Sequence, residues 1–325
     1  MNQKQSIKQS QLSLVIPCYN EEEVLPETVK QLTVLMQEME RDGLTDAGSA
    51  IWFVDDGSKD KTWELIEGYV VSNPYIRGLK LARNRGHQNA LLAGLENATG
   101  DVLISIDADL QDDIQVIKTM MLEYHKGIDV VYGVRSVREL DTPFKRMTAE
   151  GYYHLLKKMG VNIVFNHADF RLMSRRAIEA LKAYEEVNLF LRGIIPTIGF
   201  PSSTVEYARA ARFAGESKYP LKKMLALAAD GITSFSAVPL RLIAALGFII
   251  FLLSMGLSTW VFFVKVFTDH ATPGWASSVL PMYLLGGIQL LSIGVLGEYV
   301  AKMYMETKKR PRYILEKNIP SYKLN

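Results

Sequence analysis

The sequence lacks the features that mark disulfide-bonded proteins, nucleic-acid-binding proteins and proteins with a cleavable signal peptide. Its 325 residues include one cysteine, Cys18, so no internal disulfide can form and a reducing compartment is expected. Its formal net charge is only +2 and no basic face stands out, which argues against a nucleic-acid partner. No apolar h-region accompanies the polar residues 1–11, so no cleavable signal peptide is predicted and the main domain is expected in the cytoplasm.

Two glycine-rich phosphate-binding motifs are also missing. No Gly-x-Gly-x-x-Gly follows the first apolar run, and no Gly-Lys-Ser/Thr loop is present. These motifs bind phosphates through backbone N–H groups and a lysine. If the protein binds a phosphorylated ligand, a metal ion must therefore supply the positive charge that such loops provide elsewhere.

What the sequence does contain is a regular alternation of short apolar runs and helical patterns. The runs at 12–16, 51–54, 76–81, 102–106 and 130–134 are predicted to be buried strands. Helices are predicted between them at 26–42, 61–69, 89–98 and 114–125. This alternation predicts an α/β fold with a Rossmann-like, mainly parallel sheet and helices on both faces.

Polar residues follow four of these strands, at 20–23, 55–58, 83–87 and 107–109. Ligands of open α/β sheets bind at the carboxyl ends of the strands, so these loops are expected to line one nucleotide-sized site. Asp107 and Asp109 are spaced one residue apart, and such a pair can hold a hard divalent cation and, through it, a diphosphate. The alternative is a solvated acidic turn after a buried strand.

The chain beyond residue 141 carries features of a membrane-associated protein. The pattern at 142–160 combines aromatic and basic residues, which suits either an interfacial helix or an ordinary helix packed on the sheet. Two uncharged runs, at 242–264 and 275–297, each reach about 34 Å as helices and are predicted to form a transmembrane hairpin. The predicted domains are a catalytic domain at 1–210, an active-site loop and interfacial helix at 211–238, two spans within 239–300, and a basic cytoplasmic tail at 301–325.

Five segments occur in an order that resembles a known family over nearly the whole chain. They are 15–22 (Val-Ile-Pro-Cys-Tyr-Asn-Glu-Glu), 54–58 (Val-Asp-Asp-Gly-Ser), 107–112 (Asp-Ala-Asp-Leu-Gln-Asp), 169–176 (Asp-Phe-Arg-Leu-Met-Ser-Arg-Arg) and 212–218 (Arg-Phe-Ala-Gly-Glu-Ser-Lys). Together with the two apolar runs, they resemble the family 2 inverting glycosyltransferases of the GT-A fold. The likeness is to the polyprenyl-phosphate glycosyltransferases, which include bactoprenol glucosyltransferases and dolichol-phosphate mannose synthase.

The resemblance implies a role for each matching residue. The residues implied to bind the donor nucleotide are Pro17, Tyr19, Glu21, Asp55, Asp56, Asp107, Arg171 and Ser217. Within that set, Asp55 or Asp56 would contact the uracil and ribose. Asp107 and Asp109 would hold Mg²⁺ or Mn²⁺, with Asp109 as the direct ligand, and Arg212 and Lys218 would grip a phosphate of the donor or of the lipid acceptor.

Asp169 matches the position of the general base in this family. A lipid phosphate has a second pKa near 6 and is already ionised at neutral pH, so it scarcely needs a base. We therefore expect Asp169 to orient the acceptor or to steady Arg171 rather than to abstract a proton.

The resemblance implies transfer of a sugar, with UDP-glucose as the expected donor, to undecaprenyl phosphate with inversion. A homo-oligomer in the bacterial inner (plasma) membrane is expected, crossing it more than once and with the catalytic domain facing the cytoplasm. One alternative is a processive polysaccharide synthase, which is disfavoured because residues 188–193 (Asn-Leu-Phe-Leu-Arg-Gly) lack the tryptophan of a Gln-x-x-Arg-Trp motif. The other is a membrane-tethered nucleotide-binding protein without catalytic activity.

Overall fold

Strand β1 (Leu12–Cys18) lies at the centre of the fold, and all of its residues are buried. It pairs in parallel with β2 (Ala50–Asp55) on one side and with β4 (Val102–Ser105) on the other. A strand covered on both faces needs apolar side chains on both, which explains its run of Leu, Val and Ile. These features come from a computed structural model that describes residues 9–135, 167–187, 189–208, 238–267 and 274–320.

The described strands form one eight-stranded sheet. The others are β3 (Ile76–Leu81), β5 (Val130–Arg135), β6 (His167–Ser174), β7 (Ser202–Tyr207) and β8 (Leu315–Ile319), and the order is β7-β5-β6-β4-β1-β2-β3-β8. The pairs β1–β2, β1–β4, β2–β3 and β5–β7 are parallel, whereas β6 is antiparallel to β4 and β5, and β8 to β3. The prediction of an α/β fold with a mostly parallel sheet is confirmed.

Helices cover both faces of this sheet, and each face has its own apolar core. The helices on one face are α1 (Leu25–Arg41), α2 (Thr62–Ser72) and α4 (Val116–His125). Those on the other face are α3 (His87–Asn97), α5 (Arg175–Lys182) and α6 (Leu191–Thr197). Two long helices, α7 (Val238–Phe267) and α8 (Trp275–Thr307), follow the sheet domain and form the helix pair.

Two strands lie where the sequence did not predict them. The segment 169–176 was identified as a motif and not as a strand, but its residues 169–174 form most of β6, which inserts between β4 and β5. The apolar pattern that would indicate a buried strand is interrupted by the charged Arg171, which is nevertheless buried. Residues 315–319 were expected in a basic tail, and instead they form β8, which closes the sheet beside β3. The catalytic domain therefore includes chain from both ends of the sequence.

The predicted membrane hairpin is not supported by the structure. Helices do occur at the two uncharged runs, and both extend beyond the predicted bounds of 242–264 and 275–297. Among the residues that the structure describes, however, no helix combines the length and the apolar character needed to cross a membrane. The predicted interfacial helix at 142–160 and the loop at 211–237 lie outside the described residues.

Helix α3 lies unusually close to the sheet because of Gly94. A Cβ atom at this position would collide with the side chain of Val15 on β1 and would lie 2.8 Å from Val54 Cγ2 on β2. The bare glycine therefore lets α3 pack directly on the two central strands. This close packing also sets the position of His87, the first residue of the helix.

We expect Gly94→Ala to lower the free energy of unfolding by about 1–3 kcal/mol, because the added methyl group overpacks the core. Gly68 provides a matched control, since it also lies inside a helix but a Cβ there has no neighbour within 4 Å. Gly68→Ala should instead raise stability by about 0.5–1 kcal/mol through its higher helix propensity. Thermal unfolding of the two variants would contradict this account if both shifted in the same direction.

Candidate active site

Polar residues from neighbouring strands meet at one edge of the sheet. Asp55 is the last residue of β2, and Asp107 and Asp109 follow β4. His87 begins the helix that follows β3. Because β1, β2, β3 and β4 run parallel and side by side, their carboxyl ends lie at the same edge. The structure thus brings together the loops that the sequence predicted to share a site.

The loop after β1 is tied to the loop after β2. Asn20 adopts a left-handed backbone, its N–H donates to Ser58 Oγ at 3.0 Å, and its side-chain oxygen accepts from Lys59 N at 2.9 Å. Glu21 N donates to Thr62 Oγ1 at 2.8 Å. Tyr19 is exposed beside this junction, where its ring is accessible to a planar base.

Pro17, by contrast, is a buried residue of β1, in register with Val54 of β2. It can therefore shape the floor of a nucleotide pocket but lies beneath its surface. The roles of Pro17, Tyr19 and Glu21 in base binding stay predictions.

Asp55 and Asp56 are buried, and their carboxylates hold the loops in place. The carboxylate of Asp55 accepts from Ser58 N at 3.2 Å and 3.3 Å. Asp56 accepts from Arg85 N at 2.6 Å and from Gly86 N at 2.9 Å, which ties the loop after β2 to the loop after β3. Burial raises the pKa of both carboxyl groups, although these hydrogen bonds oppose the shift. Their direct contact with a nucleotide stays a prediction.

The acid pair lies in a tight turn after β4. Thr28 Oγ1 of α1 donates to Ala108 O at 2.9 Å, which fixes the backbone between the two acids. Asp109 Oδ1 accepts from Gln111 N at 3.2 Å, and Leu110 has a φ of 53°, a left-handed conformation that is uncommon for leucine. Both carboxylates are partly exposed. The backbone is thus held so that the two acids point out of the sheet edge.

The acid pair has the right chemistry for a magnesium or manganese ion. Carboxylate oxygens are hard ligands, and Mg²⁺ commonly uses only one or two of them, with water and substrate phosphates completing its shell. Within the described ranges, no group of three or more His, Cys, Asp or Glu side chains is arranged to hold a metal. The residues present therefore suit an ion that arrives with a phosphorylated substrate, and direct binding by Asp109 and Asp107 stays a prediction.

Asp169 lies at the centre of a group of cations. Its Oδ1 accepts from Arg171 Nη2 of the same strand, and Arg192 of α6 reaches both oxygens, with Nε 3.2 Å from Oδ1 and Nη2 3.1 Å from Oδ2. The Asp169 side chain is only 10 % exposed. Burial alone would raise its pKa, but Arg192, His87 and Arg171 hold the pKa well below its usual range. Asp169 is therefore an ionised organiser of positive charge and a weak base.

His87 joins this cation cluster to the acid pair. Its Nε2 lies 3.5 Å from Asp107 Oδ1 and 3.6 Å from Asp169 Oδ2, and its side chain is 43 % exposed. Burial lowers its pKa, but the contact with Asp169 and the charge of Asp107 outweigh this and raise the pKa to about 9. Burial raises the pKa of Asp107, and the nearby His87 lowers it again in part. Through His87, Asp107 of the acid pair and Asp169 therefore belong to one charged network.

The structure bears on the expectation that Asp169 steadies Arg171. The Arg171 side chain is 1 % exposed and bonds through Nη2 to Asp169. Its Nε and Nη1 have no hydrogen-bond partner in the described part of the chain. A buried guanidinium with so few partners depends on the carboxylate beside it. Arg171 is therefore buried beside Asp169, and its implied role in binding the donor nucleotide stays a prediction.

Arg192 is the site residue that sequence reasoning missed. Its segment, 188–193, was considered only for the tryptophan it lacks, and no spacing rule relates Arg192 to an acid 23 residues earlier on a different element. His87 was predicted at the correct edge of the sheet but in a loop and without a role, whereas the structure makes it the first residue of α3. The predicted phosphate-binding residues Arg212 and Lys218, and the predicted nucleotide-binding residue Ser217, lie outside the described residues.

The mostly parallel sheet, with acidic residues after its strands, defines an α/β protein with a ligand site at the carboxyl ends of its strands. Residues 13–182 match the sequence profile described as Glycosyl transferase family 2, which covers more than half of the chain. The chain belongs to this family and is a glycosyltransferase.

Two relatives match along nearly their whole length. An uncharacterized glycosyltransferase of Bacillus subtilis (strain 168) is 52 % identical over 314 residues, covering 95 % of this chain and 93 % of the relative. A prophage bactoprenol glucosyl transferase homolog of Escherichia coli (strain K12) is 41 % identical over 307 residues, covering 94 % and 98 %. Among solved structures, mannosyl-3-phosphoglycerate synthase from Rubrobacter xylanophilus matches at a TM-score of 0.47 and 13 % identity, over 83 % of this chain and 80 % of that one.

We expect Asp169→Asn to reduce sugar transfer without deleting the acidic limb of its pH dependence. Because the contact with Asp169 raises the pKa of His87, a basic limb that His87 contributes should move to lower pH in the variant. A carboxylate held ionised by three cations does not titrate in the usual assay range, so its removal deletes no ionising limb. The measurement is kcat/KM for transfer between about pH 5.5 and 9 in the wild type and the variant. Loss of one limb in the variant, with acceptor binding unchanged, would instead identify Asp169 as the general base.

Proposed function

We propose that this protein transfers a sugar from a UDP-sugar to a polyprenyl phosphate with inversion, using UDP-glucose and undecaprenyl phosphate. The observation that carries the proposal is the network in which His87 connects the strand-end acid pair to the cations around Asp169. In this network, carboxylates that can bind the metal ion of a diphosphate lie beside cations that can bind a second phosphate. The choice of acceptor is supported by relatives that are 41 % identical over 94 % of this chain and are named bactoprenol glucosyl transferase.

The chemistry needs one bond to form and one to break. An ionised oxygen of the lipid phosphate attacks the anomeric carbon from the face opposite UDP, and the bond from that carbon to the UDP oxygen breaks. Asp109 and Asp107 would hold a divalent cation, which would supply positive charge against the departing diphosphate. The acceptor oxygen is already ionised, so Asp169 acts by holding Arg192 and His87 in place rather than by accepting a proton.

The helix pair supports a location at a membrane. Phe248, Leu253, Trp260 and Leu290 are each more than 60 % exposed, and many other apolar side chains of α7 and α8 are exposed with them. Exposed apolar side chains in such number are typical of contact with lipid or another protein. We place the enzyme at the bacterial plasma membrane, with the sheet domain on the cytoplasmic side. Association of copies through these helices stays a prediction.

A donor panel tests this function directly. Membranes containing the protein, supplied with undecaprenyl phosphate, should transfer label from UDP-glucose in preference to other UDP-sugars, because the relatives are named for glucosyl transfer. The product should be a lipid carrying one sugar, and the activity should sediment with the membrane fraction. A growing polymer would identify a processive synthase instead, and a fully soluble activity would contradict the membrane location.

We expect Asp109→Asn to lower the transfer rate by roughly 10²–10³-fold, because loss of a metal ligand removes several kcal/mol of charge stabilisation. EDTA should abolish wild-type transfer, and Mg²⁺ or Mn²⁺ should restore it. Asp113→Asn is the matched control, since Asp113 is an exposed acid four residues later whose carboxylate only accepts from Gln115 N. Full activity of Asp109→Asn would favour a nucleotide-binding protein without catalysis, and transfer undiminished by EDTA would remove the metal from the mechanism.

A further inference from the structure

The end of helix α8 is fastened to the sheet domain by a short segment that the proposed chemistry does not use. We call residues 306–313 the C-terminal anchor. Glu306 Oε2 accepts from Val187 N at 2.9 Å, and Arg312 Nη1 donates to Tyr184 O at 2.9 Å. The segment 184–187 therefore meets the anchor at two points.

The anchor also holds the far end of α3. Arg312 Nη2 donates to Glu96 Oε1 at 2.8 Å, and Tyr313 Oη donates to Glu96 Oε2 at 2.5 Å while accepting from Asn97 Nδ2 at 3.0 Å. The Arg312 and Glu96 side chains are both only 16 % exposed, so this ion pair is shielded from water and stronger than a surface pair. Immediately afterwards, β8 pairs with β3 and prevents the anchor from sliding.

The two segments that the anchor contacts, α3 and 184–187, both connect to the candidate active site. α3 begins with His87, which lies nine residues, or about 14 Å of helix, before Glu96. Val187 lies five residues before Arg192, and Leu191 N donates to Gln88 Oε1 at 3.0 Å, which ties the starts of α6 and α3 together. His87 and Arg192, at the starts of these two helices, both contact Asp169.

We infer that Arg312 is a positioning residue: through Glu96 and the Tyr184 carbonyl, it fixes the helix pair relative to the Asp169 cluster, and so selects an acceptor phosphate presented by a membrane. This inference rests on the proposed transfer to a polyprenyl phosphate. A lipid phosphate is confined to the membrane surface, so the site must be held at a set distance from the apolar helices. An acceptor that diffuses through water needs no such distance.

The test compares two acceptors in one preparation of the full-length protein, reconstituted in phosphatidylethanolamine and phosphatidylglycerol vesicles with UDP-glucose. One acceptor is undecaprenyl phosphate within the vesicles, and the other is a water-soluble polyprenyl phosphate of two isoprene units. Arg312→Met should lower kcat/KM for undecaprenyl phosphate by about tenfold or more, because small misplacements of reacting groups are costly. It should change kcat/KM for the short acceptor and KM for UDP-glucose by less than about twofold.

Two further variants separate positioning from folding. Arg312→Lys keeps the charge opposite Glu96 and should recover part of the loss, and combining Glu96→Gln with Arg312→Met should cost no more than Arg312→Met alone. The control is Lys317→Met on β8, which removes an exposed ion pair with Glu67 at 2.7 Å and should leave both acceptors unaffected.

Equal losses on both acceptors, or no loss on either, would overturn the inference while leaving the proposed function intact. A wild-type protein that uses neither acceptor would instead contradict the proposed function itself.

Discussion

A carboxylate withdrawn from water stays charged only when cations take the place of the water, and Asp169 imposes this condition on the site. Three elements meet it, because Arg171 comes from β6, Arg192 from α6 and His87 from α3. Apart from Asp169 and Arg171, which lie two residues apart on β6, these side chains are distant from one another in the sequence. The cluster forms only when β6 is inserted between β4 and β5, so the unusual antiparallel strand and the active site are one feature.

The parallel half of the sheet supplies the complementary charge. β1, β2, β3 and β4 end at one edge, where the loops are held by hydrogen bonds between side chains and backbone groups. Asp56 illustrates the principle, since its buried carboxylate fixes the loop that leads to His87. Acids and cations therefore face the same edge at close range, an arrangement that suits a reaction between a diphosphate leaving group and a phosphate nucleophile.

The helix pair is joined to the sheet domain through the segment that follows α8. After α8 the chain returns to the sheet, contacts the ends of α3 and the segment before α6, and finishes as an edge strand beside β3. The elements that carry the cations are thus held from both sides, by the sheet and by the returning C-terminal segment.

Local pattern was enough for much of the fold. Five strands were predicted to within two residues, because fully apolar runs bounded by polar loops leave few alternatives. The acid pair and His87 were placed at the correct edge, since parallel strands always end together. Predictions failed where a residue's role depends on a distant partner. The strand β6 was not recognised because it contains the charged Arg171, and β8 was not recognised because basic residues surround it. Nothing in the local sequence indicates the role of Arg192.

The sequence by itself determined the alternation of strands and helices, the edge at which the polar loops gather, and the family to which the ordered motifs point. Periodicity and turn-forming residues act over a few positions, so they can be recognised in the local sequence. Only the tertiary structure decided that Asp169 is enclosed by three cations, that Asp55 and Asp56 are buried behind the loops, and that β8 closes the sheet. Those outcomes depend on which distant segments pair, and pairing is chosen by packing and charge burial across the whole domain.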